Sequence, residues 1–380
     1  MILYISVTVI TVALALFVNN QRALLTRDND VRGMISREKF LGGLCLVTIF
    51  VILFALSACR LNVGNDYAKY VEFMHRLYCD AYIDDPGVPT EWGFNLLTRV
   101  IYGLSGYENY LLVFAIYSFF TVWFFLKAIY EQSVSFPLSF LMFMGLGYYF
   151  QSFSTVRYYL ALGIALYSIR FVRRKEWIRF FLCVFAGAAF HKSIWVILPI
   201  YILATLPWKK WQMAILILLG TTGLFLQEWY LKVILALYPT YAETEYLEGT
   251  GLSYINILRC LGVLVLALLV GRYAGEKTWD TEFYFRLNLA ALALYLFFGF
   301  IPFVSRIAYY LSVTQILYVP ALIGMVEEKR WKKLLTVATV AACVLYFAMY
   351  LMKASSDGVL VLPYKSVFFH EMVDILSDVA

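Results

Sequence analysis

Long apolar segments, each bounded by charged or polar residues, recur along the whole chain. Most of them run for roughly 14–20 residues, close to the length that an α-helix needs to cross a bilayer. Barrel strands would alternate apolar and polar residues, and these segments do not. The pattern therefore predicts an all-α, polytopic integral membrane protein with about 12 transmembrane helices. The predicted spans lie at residues 2–18, 40–58, 109–126, 136–151, 157–171, 177–190, 193–206, 212–226, 254–271, 286–300, 307–325 and 334–352.

The short connections between these segments differ in charge from one side to the other. If the spans alternate, most lysines and arginines fall in or beside loops on one side, which the positive-inside rule makes cytosolic. Both termini then lie outside, as do loops 59–108 and 227–253 and the tail 353–380. Within residues 59–108, apolar positions recur at helical spacing, so we expect amphipathic helices on the outer face. No stretch has the composition of a linker, so residues 1–380 are predicted to form a single membrane domain.

Composition narrows the class of protein further. The chain is 62% hydrophobic and only 15% charged, which excludes an ordinary soluble domain. Its net charge is +6, but the basic residues are spread over short loops, so we expect no nucleic-acid partner. Nucleotide-binding, HExxH, GxSxG and CxxC motifs are absent from the sequence, so we expect no cofactor and no metal ion. Cys59 and Cys79 share a predicted outer loop and could form a disulfide.

Three short turns on the predicted outer side carry cations, against the charge bias of the other loops. They are QSFSTVR with Arg157, FHKS with His191 and Lys192, and PFVSR with Arg306. Placing an arginine deep in lipid costs roughly 2.5–3.5 kcal/mol, so each should face protein or water. A guanidinium suits phosphate, and the three turns together predict a site for an anionic ligand. The alternative is that these cations are interfacial anchors that reach the lipid headgroups.

His191 lies between two short apolar segments, 177–190 and 193–206. Helices of this length reach only about 21 Å against a hydrocarbon core of roughly 30 Å, so the turn should be recessed below the outer surface. An imidazole with an ordinary pKa of about 6.5 suits a general base that deprotonates a hydroxyl. The alternative is a hydrogen-bonded structural histidine.

Two carboxylates of the first outer loop stand beside aromatic residues. Asp66 precedes Tyr67, and Glu91 precedes Trp92. Carboxylates beside aromatic rings are a common way to hold sugar hydroxyls, so these pairs are candidates for a sugar-binding or catalytic site. Both acids would also fit as the N-cap or a first-turn residue of a helix.

Several short motifs together resemble the EpsG/Wzy-type polysaccharide polymerases of bacteria. The matching elements are NDYAKYVEF, EWGFNLL, the block from Arg157 to Ser193, RIAYYL and LPYK. The block from Arg157 to Ser193 is the strongest of them, and the likeness extends over most of the chain. On its own, Lys365 in LPYK would be an interfacial anchor.

The resemblance implies a GT-C-like glycosyltransferase of the bacterial plasma membrane, with its active site on the extracytoplasmic face. Such proteins join oligosaccharide repeat units carried on undecaprenyl pyrophosphate, without a nucleotide or a metal ion, to make O-antigen, capsule or exopolysaccharide. The implied partners are the lipid-linked oligosaccharide and membrane lipids, with a chain-length regulator as a further candidate.

The resemblance also implies roles for individual residues. One of His191, Asp66 and Glu91 would deprotonate the acceptor hydroxyl, and cations would stabilise the departing pyrophosphate. The cations would be Arg157, Arg306, Lys192 and Lys365, and the substrate-binding aromatic residues would be Tyr67, Trp92, Tyr158 and Tyr364.

Two other functions fit parts of this pattern. A transporter or flippase for lipid-linked oligosaccharide would carry charged residues near mid-helix and symmetric halves, whereas the polar residues here gather on one predicted face. Another membrane glycan transferase, a ligase or an acyltransferase, would use the same histidine and arginines. Only the family resemblance separates this last alternative from a polymerase.

Overall fold

The computed structural model describes residues 1–18, 32–79, 91–237, 252–273, 278–301, 303–356 and 358–369. Within these ranges all regular secondary structure is helical, apart from one isolated antiparallel bridge between Arg60 and Ser366. The predicted all-α class is therefore confirmed. Parts of the predicted outer regions 227–253 and 353–380 lie outside the described residues.

Seventeen α-helices and one 3₁₀ helix follow one another along the described chain. Helices suit an apolar chain because every backbone polar group away from the helix ends is satisfied within the same segment. The α-helices are α1 Ile2–Ala15, α2 Arg32–Ala58, α3 Tyr67–Tyr78, α4 Trp92–Ser105, α5 Tyr110–Gln132, α6 Phe136–Gly145, α7 Tyr148–Gln151, α8 Val156–Arg173, α9 Trp177–Ala188, α10 Ile197–Thr205, α11 Lys210–Phe225, α12 Gln227–Leu237, α13 Tyr254–Tyr273, α14 Trp279–Phe297, α15 Val304–Ser312, α16 Gln315–Gly324 and α17 Lys329–Lys353. The 3₁₀ helix, Lys192–Val196, precedes α10.

Five helical stretches in the described part are long and apolar enough to cross a membrane. They are Arg37–Ala58, Tyr110–Gln132, Tyr254–Gly271, Val304–Gly324 and Lys329–Lys353. Other predicted spans are short or interrupted: the segment 136–151 is divided between α6 and α7, and 193–206 begins as the 3₁₀ helix. The chain is thus a multi-pass helical protein, while the count of 12 spans and the GT-C-like architecture remain predictions.

The two amphipathic outer helices predicted within residues 59–108 are present as α3 and α4. α3 buries Tyr70 and Met74 on one face, and α4 buries Phe94 and Ile101. The opposite face of α4 is open, for instance at Leu104. The helical spacing of apolar residues was therefore a correct signal.

Ion pairs hold the helices together at one end of the bundle. Arg170, near the end of α8, pairs with Glu131 of α5. Arg173 pairs with Asp280 at the start of α14. These residues belong to or border the loops 127–135, 172–176 and 272–285, which the alternation of spans assigns to one common side. The N-terminal ends of α5 and α8 lie at the opposite end, where the candidate site is found.

The chain after α17 runs back across this opposite end of the bundle. In this tail segment, residues 358–366, the carbonyl of Leu360 accepts a hydrogen bond from the N–H of Gly64 at 2.8 Å. The carbonyl of Val359 accepts one from the hydroxyl of Ser154 at 3.1 Å. The tail segment therefore fixes both the turn before α3 and the turn before α8.

Candidate functional site

Arg157 lies in the first turn of α8 and forms an ion pair with Glu91, the residue before α4. Nη1 of Arg157 donates to Oε2 of Glu91, and both side chains are mostly buried. The other oxygen of Glu91 accepts a hydrogen bond from the backbone N–H of Lys192 at 3.2 Å. The guanidinium carbon of Arg157 lies 5.4 Å from the ring centre of Tyr70 and 5.2 Å from that of Phe94. Glu91 thus joins α4, α8 and the turn after α9.

His191 occupies the turn after α9, where its Nδ1 accepts a hydrogen bond from the backbone N–H of Ser193 at 3.3 Å. The hydroxyl of Ser193 lies 2.7 Å from the same Nδ1 and 3.0 Å from the hydroxyl of Tyr310. The ring of Tyr158 packs edge-on against the imidazole, with centroids 5.3 Å apart. Since Nδ1 accepts, the proton of a neutral ring resides on Nε2.

Burial and nearby cations keep this imidazole neutral. Desolvation, together with the positive charges of Arg157, Arg306 and Lys192, lowers the pKa of His191 to about 3. Three cations from three separate turns therefore act on one ring. We refer to Arg157, His191, Lys192 and Arg306 as the cationic cluster.

Asp66 precedes α3, but its side chain does not cap that helix. Burial raises the pKa of its carboxyl above the ordinary value, and the charges of Lys69, Arg306 and Arg157 partly oppose the rise. Arg306 lies in the first turn of α15, and its carbonyl accepts a hydrogen bond from the hydroxyl of Tyr158 at 2.7 Å. Within the described residues, the side chains of Asp66 and Arg306 form no hydrogen bond or ion pair. The site therefore combines an unpaired carboxylate with an unpaired guanidinium.

Two glycines allow these segments to approach each other closely. The N–H of Gly93 donates to the carbonyl of Ala189 at 2.8 Å, and a Cβ at position 93 would lie 2.5 Å from that oxygen. Gly64 has a φ of +104° and packs directly against the backbone of Phe153. Both glycines belong to the contacts that bring the outer carboxylates to the cationic cluster.

Three of the four aromatic residues predicted to bind substrate differ in how deeply they are buried. Tyr67 is fully buried and stacked on Phe114, with ring centres 4.3 Å apart, so it packs in the core, and its role in substrate binding stays a prediction. Tyr158 is also buried and supports the cluster through its bond to the Arg306 carbonyl. Trp92 is largely exposed and leaves part of its ring free beside Glu91.

Tyr364 and Lys365 belong to the tail segment, which packs against the end of α2. The hydroxyl of Tyr364 donates to the carbonyl of Leu56 at 3.0 Å, and the carbonyl of Lys365 accepts from the N–H of Leu61 at 3.0 Å. Among the described residues, the Lys365 side chain forms no hydrogen bond or ion pair with the cluster. The LPYK motif therefore ties the tail to the end of α2, and its role in binding pyrophosphate or substrate stays a prediction.

A pocket of about 630 Å³ borders the turns that carry Asp66 and Arg157. It lies between the start of α13, the end of α17 and the turn before α8, and most of its surface is apolar. Its lining includes Asn65, Gln151, Thr155, Tyr159, Ile255 and Met349. Asn65 precedes Asp66, and Thr155 lies two residues before Arg157, so the pocket adjoins the turn that carries Asp66 and the turn that carries Arg157 of the cationic cluster.

Arg60 is a buried cation that the sequence interpretation overlooked. It follows α2, is 1% exposed, and lies between the rings of Phe114 and Phe153, at 5.3 and 5.1 Å. Its Nη1 donates to the carbonyl of Ser57 and lies 3.2 Å from the hydroxyl of Ser118. Its place just after the predicted span 40–58 was the available signal, since it is a further cation at a helix end that the charge bias predicts to be outside.

These observations define the class of the protein: a multi-pass helical membrane protein with a cluster of cations and carboxylates at one end of its bundle. The model of the EpsG family matches residues 43–366, which is most of the chain, and the chain belongs to that family. The family resemblance inferred from the motifs is thereby confirmed, and it associates the chain with polysaccharide biosynthesis at a membrane. Neither functionally described proteins nor solved structures gave a significant match.

Proposed function

We propose that this protein is a glycosyltransferase that polymerises oligosaccharide repeat units carried on undecaprenyl pyrophosphate, on the outer face of the bacterial plasma membrane. The observation that supports this most is the meeting of an unpaired carboxylate, an unpaired guanidinium and a neutral imidazole at one end of an otherwise apolar bundle. Acid–base chemistry on a hydroxyl and binding of a diphosphate need these groups. Family membership supplies the glycan as the substrate class.

Asp66 is the best candidate for the base. Its carboxyl is partly buried, its pKa is raised, and no hydrogen bond within the described residues occupies it. A raised pKa makes a carboxylate a better proton acceptor for a hydroxyl. Glu91, by contrast, already accepts hydrogen bonds from Arg157 and Lys192 with its two oxygens, so it serves to position those residues.

His191 is better placed to donate a hydrogen bond than to act as a base. Because its Nδ1 accepts a hydrogen bond from Ser193, its Nε2–H is available to donate to an anionic oxygen. The side chains of Arg306 and Lys192 form no ion pair within the described residues, so their charges are available as well. These three groups would hold the diphosphate of the donor and stabilise the charge that it gains on leaving.

The protein's own side chains can then accept the proton and offset the charge of the leaving group, without a cofactor. Asp66 accepts the proton of the acceptor hydroxyl, whose oxygen bonds to the anomeric carbon of the donor sugar. The bond from that carbon to the diphosphate oxygen breaks, and the electron pair leaves on lipid diphosphate. The cations and the Nε2–H of His191 offset the new charge. The leaving group is already activated, so charge stabilisation accounts for most of the catalysis.

The pocket beside the site offers a place for part of the lipid-linked substrate. Its apolar lining comes partly from α13 and α17, two of the helices long enough to span a membrane. A chain of isoprene units needs such a surface, and the pocket reaches the turns that carry Asp66 and Arg157. Membrane lipids would compete for the same pocket.

The test is elongation in vitro. Purified protein in detergent should lengthen undecaprenyl-pyrophosphate-linked repeat units into a ladder without nucleotide or divalent cation. Asp66→Asn and Arg306→Ala should abolish the ladder, whereas Arg179→Ala, an exposed arginine of α9, should leave it intact. A ladder of normal length from Asp66→Asn would refute Asp66 as the base. Transbilayer movement of the lipid substrate without elongation would favour a flippase instead.

A further inference from the structure

A second cluster of potential metal ligands lies apart from the cationic cluster. It consists of His75, Cys79 and Glu108, and we call it the histidine–cysteine cluster. One ligand atom from each residue lies within 4.8 Å of the others. His75 and Cys79 are four residues apart at the end of α3 and therefore share one face. Glu108 precedes α5, so the cluster joins two parts of the outer loop.

Glu108 determines which nitrogen of His75 faces the cysteine. Both oxygens of Glu108 lie 2.9 Å from Nδ1, so Nδ1 carries the proton and donates it. The lone pair of the neutral ring is then on Nε2, which lies 3.6 Å from Sγ of Cys79. A carboxylate that accepts from the distant nitrogen is the usual partner of a metal-bound imidazole, because it fixes the tautomer and orients the ring.

The separation of Nε2 and Sγ fits a tetrahedral zinc ion. Zinc binds nitrogen at about 2.0–2.1 Å and sulfur at about 2.3 Å, which puts two ligands of a tetrahedron roughly 3.5 Å apart. Cys79 is exposed and His75 is buried, so an ion could enter from the solvent side while the imidazole stays oriented. Cys59 and Cys79 form no disulfide with each other, which does not fit the disulfide considered from the sequence.

We propose that the histidine–cysteine cluster binds one zinc ion. Nε2 of His75 and the thiolate of Cys79 would be its ligands, Glu108 would hold His75 by its hydrogen bond, and water would fill the other positions. An imidazole and a thiolate together favour zinc over the hard cations Mg²⁺ and Ca²⁺. On binding, the thiol proton passes to solvent and the sulfur–zinc bond forms.

The ion would stabilise the outer end of α3. The other end of the same helix begins directly after Asp66 and carries Tyr70, which packs on Arg157. Zinc would therefore fix the helix that borders the candidate site without taking part in its chemistry. The inference stands on the geometry of the cluster and does not depend on the proposed function.

Zinc binding can be measured on the full, tag-free chain in detergent, after its cysteines have been reduced and bound metal has been removed with a chelator. Titration against a fluorescent zinc indicator should give one site per chain. We expect Cys79→Ser and His75→Gln to weaken binding at least about tenfold, and Glu108→Gln to weaken it by about 10–100-fold. Cys59→Ser is the matched control, since its thiol lies at the same end of the bundle, and it should bind zinc as the wild type does.

Two further measurements, cobalt absorption and melting temperature, test whether Cys79 is a ligand. Cobalt in place of zinc should give a thiolate-to-metal absorption band in the wild type that Cys79→Ser lacks. Zinc should raise the melting temperature of the wild type and of Cys59→Ser, but not that of Cys79→Ser. A wild-type chain that binds no zinc, or a Cys79→Ser variant that binds it equally well, would overturn the proposal. The cluster would then be an ion pair of protonated His75 with Glu108.

Discussion

The ion pair between Arg157 and Glu91 joins two segments that are 66 positions apart in the sequence. Glu91 also accepts from the backbone of Lys192, so one carboxylate fixes the start of α8 and the turn after α9. The charge of Arg157 is largely satisfied by this pair, whereas Arg306 and Lys192 have no ion-pair partner within the described residues. The pair therefore positions the site, and the unpaired cations are the ones available to an anionic ligand.

Breaking this pair should destabilise the protein. The two side chains are only 13% and 10% exposed, so Glu91→Gln leaves the guanidinium buried without its counter-charge. Removing one partner of a buried pair costs about 3–5 kcal/mol. We expect a loss of this order in the free energy of unfolding, measured by denaturation in detergent.

The exposed pair of α9 provides the control for that experiment. Glu176 and Arg179 form an ion pair whose arginine is 66% exposed, so Glu176→Gln should change stability by less than about 1 kcal/mol. Replacing both Arg157 and Glu91 by apolar residues of similar size should restore part of the lost stability. Equal stability of Glu91→Gln and the wild type would contradict the assigned role of the pair.

Two glycines of α4 should respond in opposite ways to alanine. A Cβ at Gly93 would lie 2.5 Å from the carbonyl oxygen of Ala189, whereas a Cβ at Gly103 would meet nothing within 4 Å. Gly93→Ala must push α4 away from α9, and we expect it to lower stability by about 1–3 kcal/mol. Gly103→Ala should raise stability by about 0.5–1 kcal/mol, because alanine favours a helix interior. Thermal unfolding of both variants decides this, and equal effects would contradict the packing described.

The helical fold and much of the site could be predicted because their signals are local. Apolar runs and helical spacing depend on neighbouring residues, and they gave the all-α class and the helices α3 and α4. Cations on the wrong side of the charge bias led to Arg157, His191, Lys192 and Arg306. The number of spans was harder to predict, because short interrupted helices and continuous ones have similar hydropathy.

What the sequence did not reveal depends on contacts between distant segments. Asp66 and Glu91 have the same sequence context, but only tertiary structure pairs Glu91 with Arg157 and leaves Asp66 unpaired. Likewise, Tyr67 follows Asp66 in the chain but points into the core. Residues that neighbour a site residue in sequence therefore need not share its role.

Removing the charge of Asp66 should stabilise the folded protein. Burial raises the folded-state pKa of its carboxyl above the ordinary value, so the charged form opposes folding. The free-energy cost of this buried charge is absent below the pKa of the unfolded state. It grows between the pKa values of the unfolded and folded states and stays constant at higher pH. Asp66→Asn should therefore melt at a higher temperature than the wild type at neutral pH, with a difference that shrinks toward pH 4. A lower melting temperature for Asp66→Asn at neutral pH would contradict the assigned burial.

His191 should make the protein less stable as pH falls. Its folded-state pKa of about 3 lies below the ordinary value of 6.5, so the unfolded chain binds the proton first. The destabilisation is absent above pH 6.5 and accumulates at about 1.4 kcal/mol per pH unit as pH falls toward 3. Melting temperatures of the wild type and His191→Gln between pH 7.5 and 5 would test this. An identical pH dependence of the two proteins would show that His191 is not held neutral.

Arg306 should affect activity far more than stability. Its guanidinium forms no hydrogen bond or ion pair within the described residues, so Arg306→Ala breaks no buried pair and should shift stability by less than about 1 kcal/mol. It should nevertheless abolish elongation, because a charge that offsets the departing diphosphate is lost. It should also raise the pKa of His191, since Arg306 is one of the cations that lower it, and NMR titration of the imidazole can follow this change. Arg157→Ala is the matched comparison, because it should lower both stability and activity. Large destabilisation by Arg306→Ala, or full elongation by it, would remove Arg306 from the proposed site.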